Sequence, residues 1–84
     1  MSLKDLQGIF EQNKKIRFKL YSLEYIIEKD GENVVAYAID YSERKNRFPS
    51  FKDAMNNFKV YNESIISQIN LIEIIPSETS ESTN

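Results

Sequence analysis

Apolar residues recur along the first thirteen positions at the spacing of an α-helix. They are Leu3, Leu6 and Phe10. Ser2 and Asp5 form an S-x-x-D pattern, in which each side chain can accept a hydrogen bond from a free backbone amide at a helix start. Because a helix repeats every 3.6 residues, this pattern predicts a helix that begins after Ser2 and frays near Asn13.

From Ile16 the pattern changes to the alternation of a β-strand. Positions 16, 18 and 20 are apolar, whereas Arg17 and Lys19 occupy the positions between them. After Ser22 the apolar residues move to odd positions, so the buried set changes face. A strand that changes face requires a bulge or a sharp bend, which we predict near Tyr21 or Ser22.

The stretch EKDGEN, residues 28–33, predicts a turn for which two strand registers can be drawn. A two-residue loop of Asp30 and Gly31 would set the large residues of the next strand against glutamates. A three-residue loop that ends at Gly31, with this glycine in the left-handed position of a G1 bulge, instead places Tyr25 opposite Val35. We predict the second register because it pairs apolar residues with apolar residues. It also sets Leu23 opposite Tyr37 and Tyr21 opposite Ile39.

The second strand is predicted over residues 33–41, and a tight hairpin follows within DYSERKNRFPSF, residues 40–51. Asn46 is expected to adopt the left-handed conformation at the hairpin tip, because its short polar side chain tolerates it. A short third strand ends at Phe48, since Pro49 keeps the preceding residue extended.

A second helix is predicted to begin after Ser50, which forms another S-x-x-D pattern with Asp53. Its apolar stripe consists of Phe51, Ala54, Met55 and Phe58. One long helix over residues 51–72 would also fit the apolar spacing, but residues 60–62 are poor helix formers. We therefore predict a break after Phe58.

Three short segments are predicted after this break. Asn62 is a good cap for a short helix from Glu63 to Ile69. The run NLIEII, residues 70–75, is rich in β-branched side chains and predicts a strand that Pro76 ends. Residues 77–84 contain no apolar side chain and are expected to be disordered.

Together these elements predict one two-layer α+β domain over residues 1–76. The order is α-β-β-β-α-short α-β, with an antiparallel three-stranded meander, room for a fourth short strand, and the helices on one face of the sheet. Over the first sixty residues this order resembles the layout of the double-stranded-RNA-binding domain. Members of that family share a Gly-Pro-x-His loop and a Lys-rich start to the second helix. Here the loop is SERKNR and the helix opens with SFKDA, so no site residue is carried over.

The composition argues against several classes of function. The 84 residues include no cysteine and no histidine, so disulfides, thiolate or imidazole metal sites and the usual general base are all missing. With two glycines there is no phosphate-binding loop. We therefore expect no enzymatic activity, no cofactor and no metal.

The same sequence predicts a cytoplasmic protein without a membrane partner. No apolar run approaches the roughly 18 residues of a membrane span. Lys4 and Asp5 interrupt the start, where a signal peptide would be apolar. Eleven isoleucines and eight asparagines against three alanines are typical of an AT-rich bacterial genome.

Cations are concentrated in two runs, KKIRFK at residues 14–19 and RKNR at residues 44–47. In the predicted register both runs lie at one end of the sheet, so seven of the eleven cations would converge there although the net charge is −2. Aromatic residues flank the second run. The candidate binding residues are Arg17, Lys19, Tyr41, Arg44, Lys45, Arg47 and Phe48. The aromatic residues expected to pack in the core are Phe10, Phe18, Tyr21, Tyr25, Tyr37, Phe51 and Phe58.

A solvated hairpin tip is the competing interpretation of these charges, because Lys and Arg on short edge strands prevent edge-to-edge pairing. In that case the next candidate surface is Tyr61 with the outward face of the second helix. That face begins with Lys52, Asn56 and Lys59.

The leading interpretation is a small non-catalytic protein-binding or regulatory module that contacts its partner through the basic end of the sheet. The alternative is RNA or single-stranded nucleic-acid binding, in which the same cations contact phosphates and Tyr41 or Phe48 stacks on a base. A third arrangement is a homo-oligomer in which a second chain covers an exposed strand edge.

Overall fold

A computed structural model describes residues 2–75, and within them the elements confirm the predicted α+β class. The helices are α1 (Leu3–Asn13) and α2 (Phe51–Asn57), with 3₁₀ helices at Ile39–Tyr41 and Ile66–Leu71. The strands are β1 (Lys15–Leu20), β2 (Leu23–Asp30), β3 (Asn33–Ala38), β4 (Asn46–Phe48), β5 (Lys59–Val60), β6 (Glu63–Ser64) and β7 (Glu73–Ile74). Residues 77–84, which the sequence predicts to be disordered, lie outside the described residues, as does Pro76.

Within the described residues five strands form one antiparallel sheet in the order β4-β3-β2-β1-β7. The strand predicted in NLIEII is β7, which pairs with β1 so that Ile74 lies opposite Phe18. β5 and β6 form a separate hairpin. The apolar sides of α1 and α2 pack on one face of the sheet, as predicted. We call the opposite face, which presents Arg17, Glu28, Tyr37 and Arg47, the open face.

The first helix begins as its sequence predicts. The Asp5 backbone N–H donates to Ser2 Oγ at 3.2 Å, and the Ser2 N–H donates to Asp5 Oδ2 at 3.0 Å. The bond from the Ser2 backbone N–H, and then the nearby Ser2 hydroxyl, lower the pKa of the exposed Asp5 carboxyl below its ordinary value. The helix ends at Asn13, because Lys14 turns into the left-handed region with a φ of 62°.

The predicted bend at Tyr21 and Ser22 is a complete chain reversal. Leu20 lies opposite Leu23, so the two residues between them form a hairpin loop that joins β1 to β2. Four strands therefore precede α2. The predicted meander and the resemblance to the RNA-binding domain imply three. The predicted packing of Tyr21 is wrong, because this residue occupies the loop with a φ of 60° and is 56% exposed.

The predicted register between the next two strands is wrong. Asp30 lies opposite Asn33, and Tyr25 lies opposite Ala38 rather than Val35. Gly31, with a φ of 65°, is the first residue of a two-residue loop, the position at which a type II′ turn takes glycine. The alternative two-residue loop of Asp30 and Gly31 lies one position earlier along the chain and is not formed either. All four residues 34–37 are buried, so alternation in β3 does not show which face meets the helices.

The connection after β3 also differs from the predicted tight hairpin. β3 stops at Ala38, and the chain turns through the 3₁₀ helix before β4 begins. Asn46 does not adopt the left-handed conformation, since it is the first residue of β4 and lies opposite Ala36. β4 does end at Phe48 as predicted.

The second helix confirms its predicted cap and buried stripe. The Asp53 N–H donates to Ser50 Oγ at 3.1 Å, and the four stripe residues are buried. The helix ends at Asn57, so the break is confirmed and a single helix over residues 51–72 is not formed. Asn62 does not cap a helix. Tyr61 and Asn62 both have positive φ and form the two-residue loop of the β5–β6 hairpin.

The core lies between the helices and the sheet. Phe10 stacks on Phe51 with ring centroids 4.6 Å apart, and Phe18 stacks on Tyr25 at 5.6 Å. Full burial of one large apolar side chain contributes about 1.5–3 kcal/mol relative to exposure. Gln68 is the buried polar residue of this region, and its Nε2 donates to the backbone carbonyls of Val60, Glu63 and Ser64.

Candidate functional site

The two basic runs do not converge, contrary to the sequence prediction. Arg17 and Lys19 lie on β1, whereas Arg47 lies on β4, and β2 and β3 separate these strands. The predicted convergence assumed that residues 16–27 form one strand paired with residues 33–41. Because the chain reverses at Tyr21 and Ser22, β2 lies between β1 and β3, and the candidate residues divide into two groups.

Carboxylates lie beside both members of the first group, and one of these members forms an ion pair. Arg17 donates to Glu24 Oε1 through Nη2 at 2.6 Å and through Nε at 3.1 Å, and both side chains are half-buried. Lys19 is exposed and lies in register with Glu24 on one side and Glu73 on the other. This part of the open face therefore offers little positive field to a partner.

The centre of the open face is apolar, but its side chains are largely shielded from solvent. Tyr37 is buried although it lies outside the core cluster between the helices and the sheet, and its hydroxyl donates to Glu28 Oε2 at 3.0 Å. The Lys45 ammonium lies 4.6 Å from the centroid of the Tyr37 ring, close enough for a cation–π interaction. Burial, and then the bond to Glu28, raise the pKa of the Tyr37 hydroxyl.

Tyr41 and Arg44 lie together on the surface. Tyr41 ends the first 3₁₀ helix and is exposed, and the Arg44 backbone N–H donates to its carbonyl at 2.9 Å. The Arg44 guanidinium lies 6.0 Å from the Tyr41 ring centroid, which is the outer limit of a cation–π contact. These two residues border the second basic run and remain accessible.

The other members of the second group line an open groove of about 530 Å³. One wall is formed by residues 45–48 and the other by residues 57–59. The lining residues are Lys45, Asn46, Arg47, Phe48, Asn57, Phe58 and Lys59. This edge groove brings three cations together, and no carboxylate of the described residues lines it.

Aromatic rings form the apolar part of the edge groove. Phe48 packs edge-to-face against Phe58 with centroids 6.4 Å apart, and both contact the core. Phe48 is therefore half-buried and held in place rather than free to stack on a base.

The edge groove lies beside an unpaired strand edge. Among residues 2–75, β4 pairs with β3 alone, so backbone N–H and C=O groups on its other side have no strand partner. Arg47 pairs with Asp30 Oδ2 at 2.6 Å, but both side chains are more than half exposed. Such exposed pairs contribute about 0–1 kcal/mol and exchange easily for another anion.

Sequence patterns identified one wall of this groove and missed the other. Lys45, Arg47 and Phe48 were candidates, whereas Asn57 and Phe58 were not, and Lys59 was placed on an alternative surface. Phe58 was recognised as apolar and assigned to the core. Only the tertiary position of the segment after α2 shows that it faces β4.

A second surface was predicted only in part, because Tyr61 was a candidate whereas Tyr21 was expected in the core. Tyr21 and Tyr61 each occupy a hairpin loop at positive φ, and their rings meet edge-to-face with centroids 5.0 Å apart. Both rings are more than half exposed. A positive φ is unusual for a residue as bulky as tyrosine, and it is the one local feature that marks this surface. The sequence alone does not reveal it.

Comparisons of the chain with protein-family models, with curated proteins and with solved structures find no match. In residues 2–75 no helix is long and apolar enough to cross a membrane. The same residues contain no cluster of three or more acidic side chains arranged to hold a metal ion.

Proposed function

We propose that this protein is a non-catalytic module that binds an acidic segment of a protein partner in the edge groove. The observation that carries the proposal is the composition of this groove. It combines three cations with an apolar floor beside β4, one edge of which has no strand partner within residues 2–75, and no carboxylate of the described residues lines it.

The charges of the groove are available to a partner, whereas Arg17 on β1 is held by Glu24. Within the described residues neither Lys45 nor Lys59 forms an ion pair with a carboxylate. Arg47 can exchange its exposed contact with Asp30 for a partner's carboxylate at little cost. Complementary charge of this kind mainly accelerates association and selects the partner.

A protein partner is favoured over nucleic acid by the same geometry. Binding to nucleic acid requires a run of cations along several phosphates. Here glutamates on β2 interrupt the path from the groove to Arg17, and the net charge of the chain is −2. Phe48, a predicted stacking residue, is packed against Phe58.

Catalysis is not part of the proposal. The sequence contains neither histidine, the commonest general base, nor cysteine, a common nucleophile. The tyrosines whose pKa burial raises, Tyr25 and Tyr37, are not among the residues that line the groove.

Peptide binding to the full chain tests this function. The probes are a labelled acidic peptide of alternating Glu and Val, its Lys and Val counterpart, and a uridine oligonucleotide, at about 150 mM salt. We expect the acidic peptide alone to bind. The double variant Lys45→Glu with Lys59→Glu should weaken it by at least about tenfold. The matched variant Lys4→Glu with Lys29→Glu, which changes the net charge equally at exposed positions outside the groove, should not.

Two results would overturn the proposal. Binding of the oligonucleotide but not the peptide would assign the cations to nucleic acid. Absence of binding to every probe would leave Lys45 and Lys59 as charges that keep the β4 edge from pairing.

A further inference from the structure

We infer that the partner binds by adding a strand to the free edge of β4, and that its sequence alternates acidic and apolar residues. This inference rests on the proposed function and names the chemistry of the segment that the groove accepts. The backbone of β4 would supply hydrogen bonds, and the alternating side chains would supply selectivity.

The groove has the position and length for such a strand. Four consecutive residues, 45–48, form one of its walls, and one side of β4 has no strand partner within residues 2–75. A strand advances about 3.3 Å per residue, so this wall accommodates roughly four residues of an extended peptide.

The two faces of β4 require different side chains from the added strand. Lys45 and Arg47 are two positions apart and both lie on the open face, where they contact Tyr37 and Asp30. Phe48 points to the helix face and contacts Phe58. Because cross-strand neighbours share a face, residues opposite the two cations should be acidic and the residue opposite Phe48 apolar.

Two other occupants of the edge fit less well. A second copy that paired its own β4 in antiparallel fashion would bring Arg47 and Lys45 of both chains together, and like charges across strands are unfavourable. Residues 76–84 contain two glutamates but no apolar side chain other than Pro76. They also follow β7, which is at the other edge of the sheet.

Peptides of equal composition separate strand addition from simple charge attraction. An alternating Glu-Val peptide of about ten residues should bind the full chain at least about tenfold more tightly than a block peptide with the same residues grouped. Two further versions carry N-methyl groups on alternate amides, one on the glutamates and the other on the valines. Since alternate amides of a strand point to opposite sides, one version should lose binding and the other retain it.

A charge-reversal variant provides the second measurement. The variant Lys45→Glu with Arg47→Glu should prefer the alternating Lys-Val peptide, and its circular dichroism spectrum reports whether it is folded. Equal binding of alternating, block and N-methylated acidic peptides would overturn strand addition while leaving the proposed function intact. Failure of every acidic peptide to bind would overturn both.

Discussion

Replacement of Gln68 by methionine should destabilise the protein by about 2–4 kcal/mol, because it removes hydrogen-bond donors and keeps a side chain of similar length. Gln68 is 4% exposed. Its Nε2 donates to the carbonyl of Val60 at 3.0 Å, to that of Glu63 at 3.1 Å and to that of Ser64 at 3.3 Å. One amide therefore joins the second 3₁₀ helix to both strands of the β5–β6 hairpin.

The magnitude follows from the burial of these acceptors. The bond to Val60 is buried, and an acceptor left without a donor there costs about 1–3 kcal/mol. The bonds to Glu63 and Ser64 are partly buried, so water can replace some of what is lost. Domains of this size have a free energy of unfolding of roughly 4–13 kcal/mol, so the loss is a large fraction of the total.

Urea unfolding of the variant and of a matched control measures this effect. In Gln7→Met the lost bond, from Gln7 Nε2 to Glu11 Oε2, is exposed, so the change in unfolding free energy should stay within about 0.5 kcal/mol. Gln68→Met should lower the melting temperature by at least about 8 °C. If both variants unfolded like the unaltered protein, the three carbonyls would be solvated and the account of the hairpin would be wrong.

Three further predictions concern local features. Ser50→Ala should cost about 1 kcal/mol of unfolding free energy by removing the cap of α2, and an unchanged urea midpoint would contradict this. A Cβ at Gly8 or at Gly31 meets open space. Helix propensity should therefore make Gly8→Ala stabilising by about 0.5–1 kcal/mol. Gly31 has a φ of 65°, so Gly31→Val should be destabilising by about 1–3 kcal/mol. Effects of the same sign would contradict that contrast. Because burial raises the pKa of Tyr37, the folded state holds that proton more tightly, and stability should fall as the pH rises above about 10. Tyr37→Phe should reduce this fall.

Local patterns predicted the helices well. The serine of each S-x-x-D pattern caps its helix as expected, because a capping side chain needs only neighbours three residues away. The reciprocal bond to the aspartate forms at Ser2 and Asp5, whereas Asp53 accepts from the Ser50 hydroxyl instead. The break after Phe58 was also predictable, since poor helix formers follow directly. These features depend little on the rest of the fold.

The strand register could not be predicted, because β3 is buried on both faces. The predicted register places Val35 and Tyr37 on the same face as Tyr25, whereas they lie on the open face beneath long charged side chains. Ala36 and Ala38 occupy the positions opposite Ile27 and Tyr25 instead. Alternation identifies a face only when one side of a strand meets water.

The first hairpin was missed because its loop lacks the usual turn residues. Glycine or asparagine commonly marks a two-residue loop, but here Tyr21 adopts the positive φ.

Only one wall of the edge groove was predicted, for a different reason. Its two walls lie about ten positions apart in the sequence, and only packing brings Lys59 to face β4.

The most direct test of the edge groove is a nuclear magnetic resonance titration of the isotope-labelled full chain with the alternating Glu-Val peptide. Backbone amide shifts report which residues meet the peptide. We predict that the largest changes fall on residues 45–48 and 57–59, the two walls of the groove. Changes centred instead on residues 14–19 or on Tyr21 and Tyr61, or no changes at all, would contradict the proposed binding site.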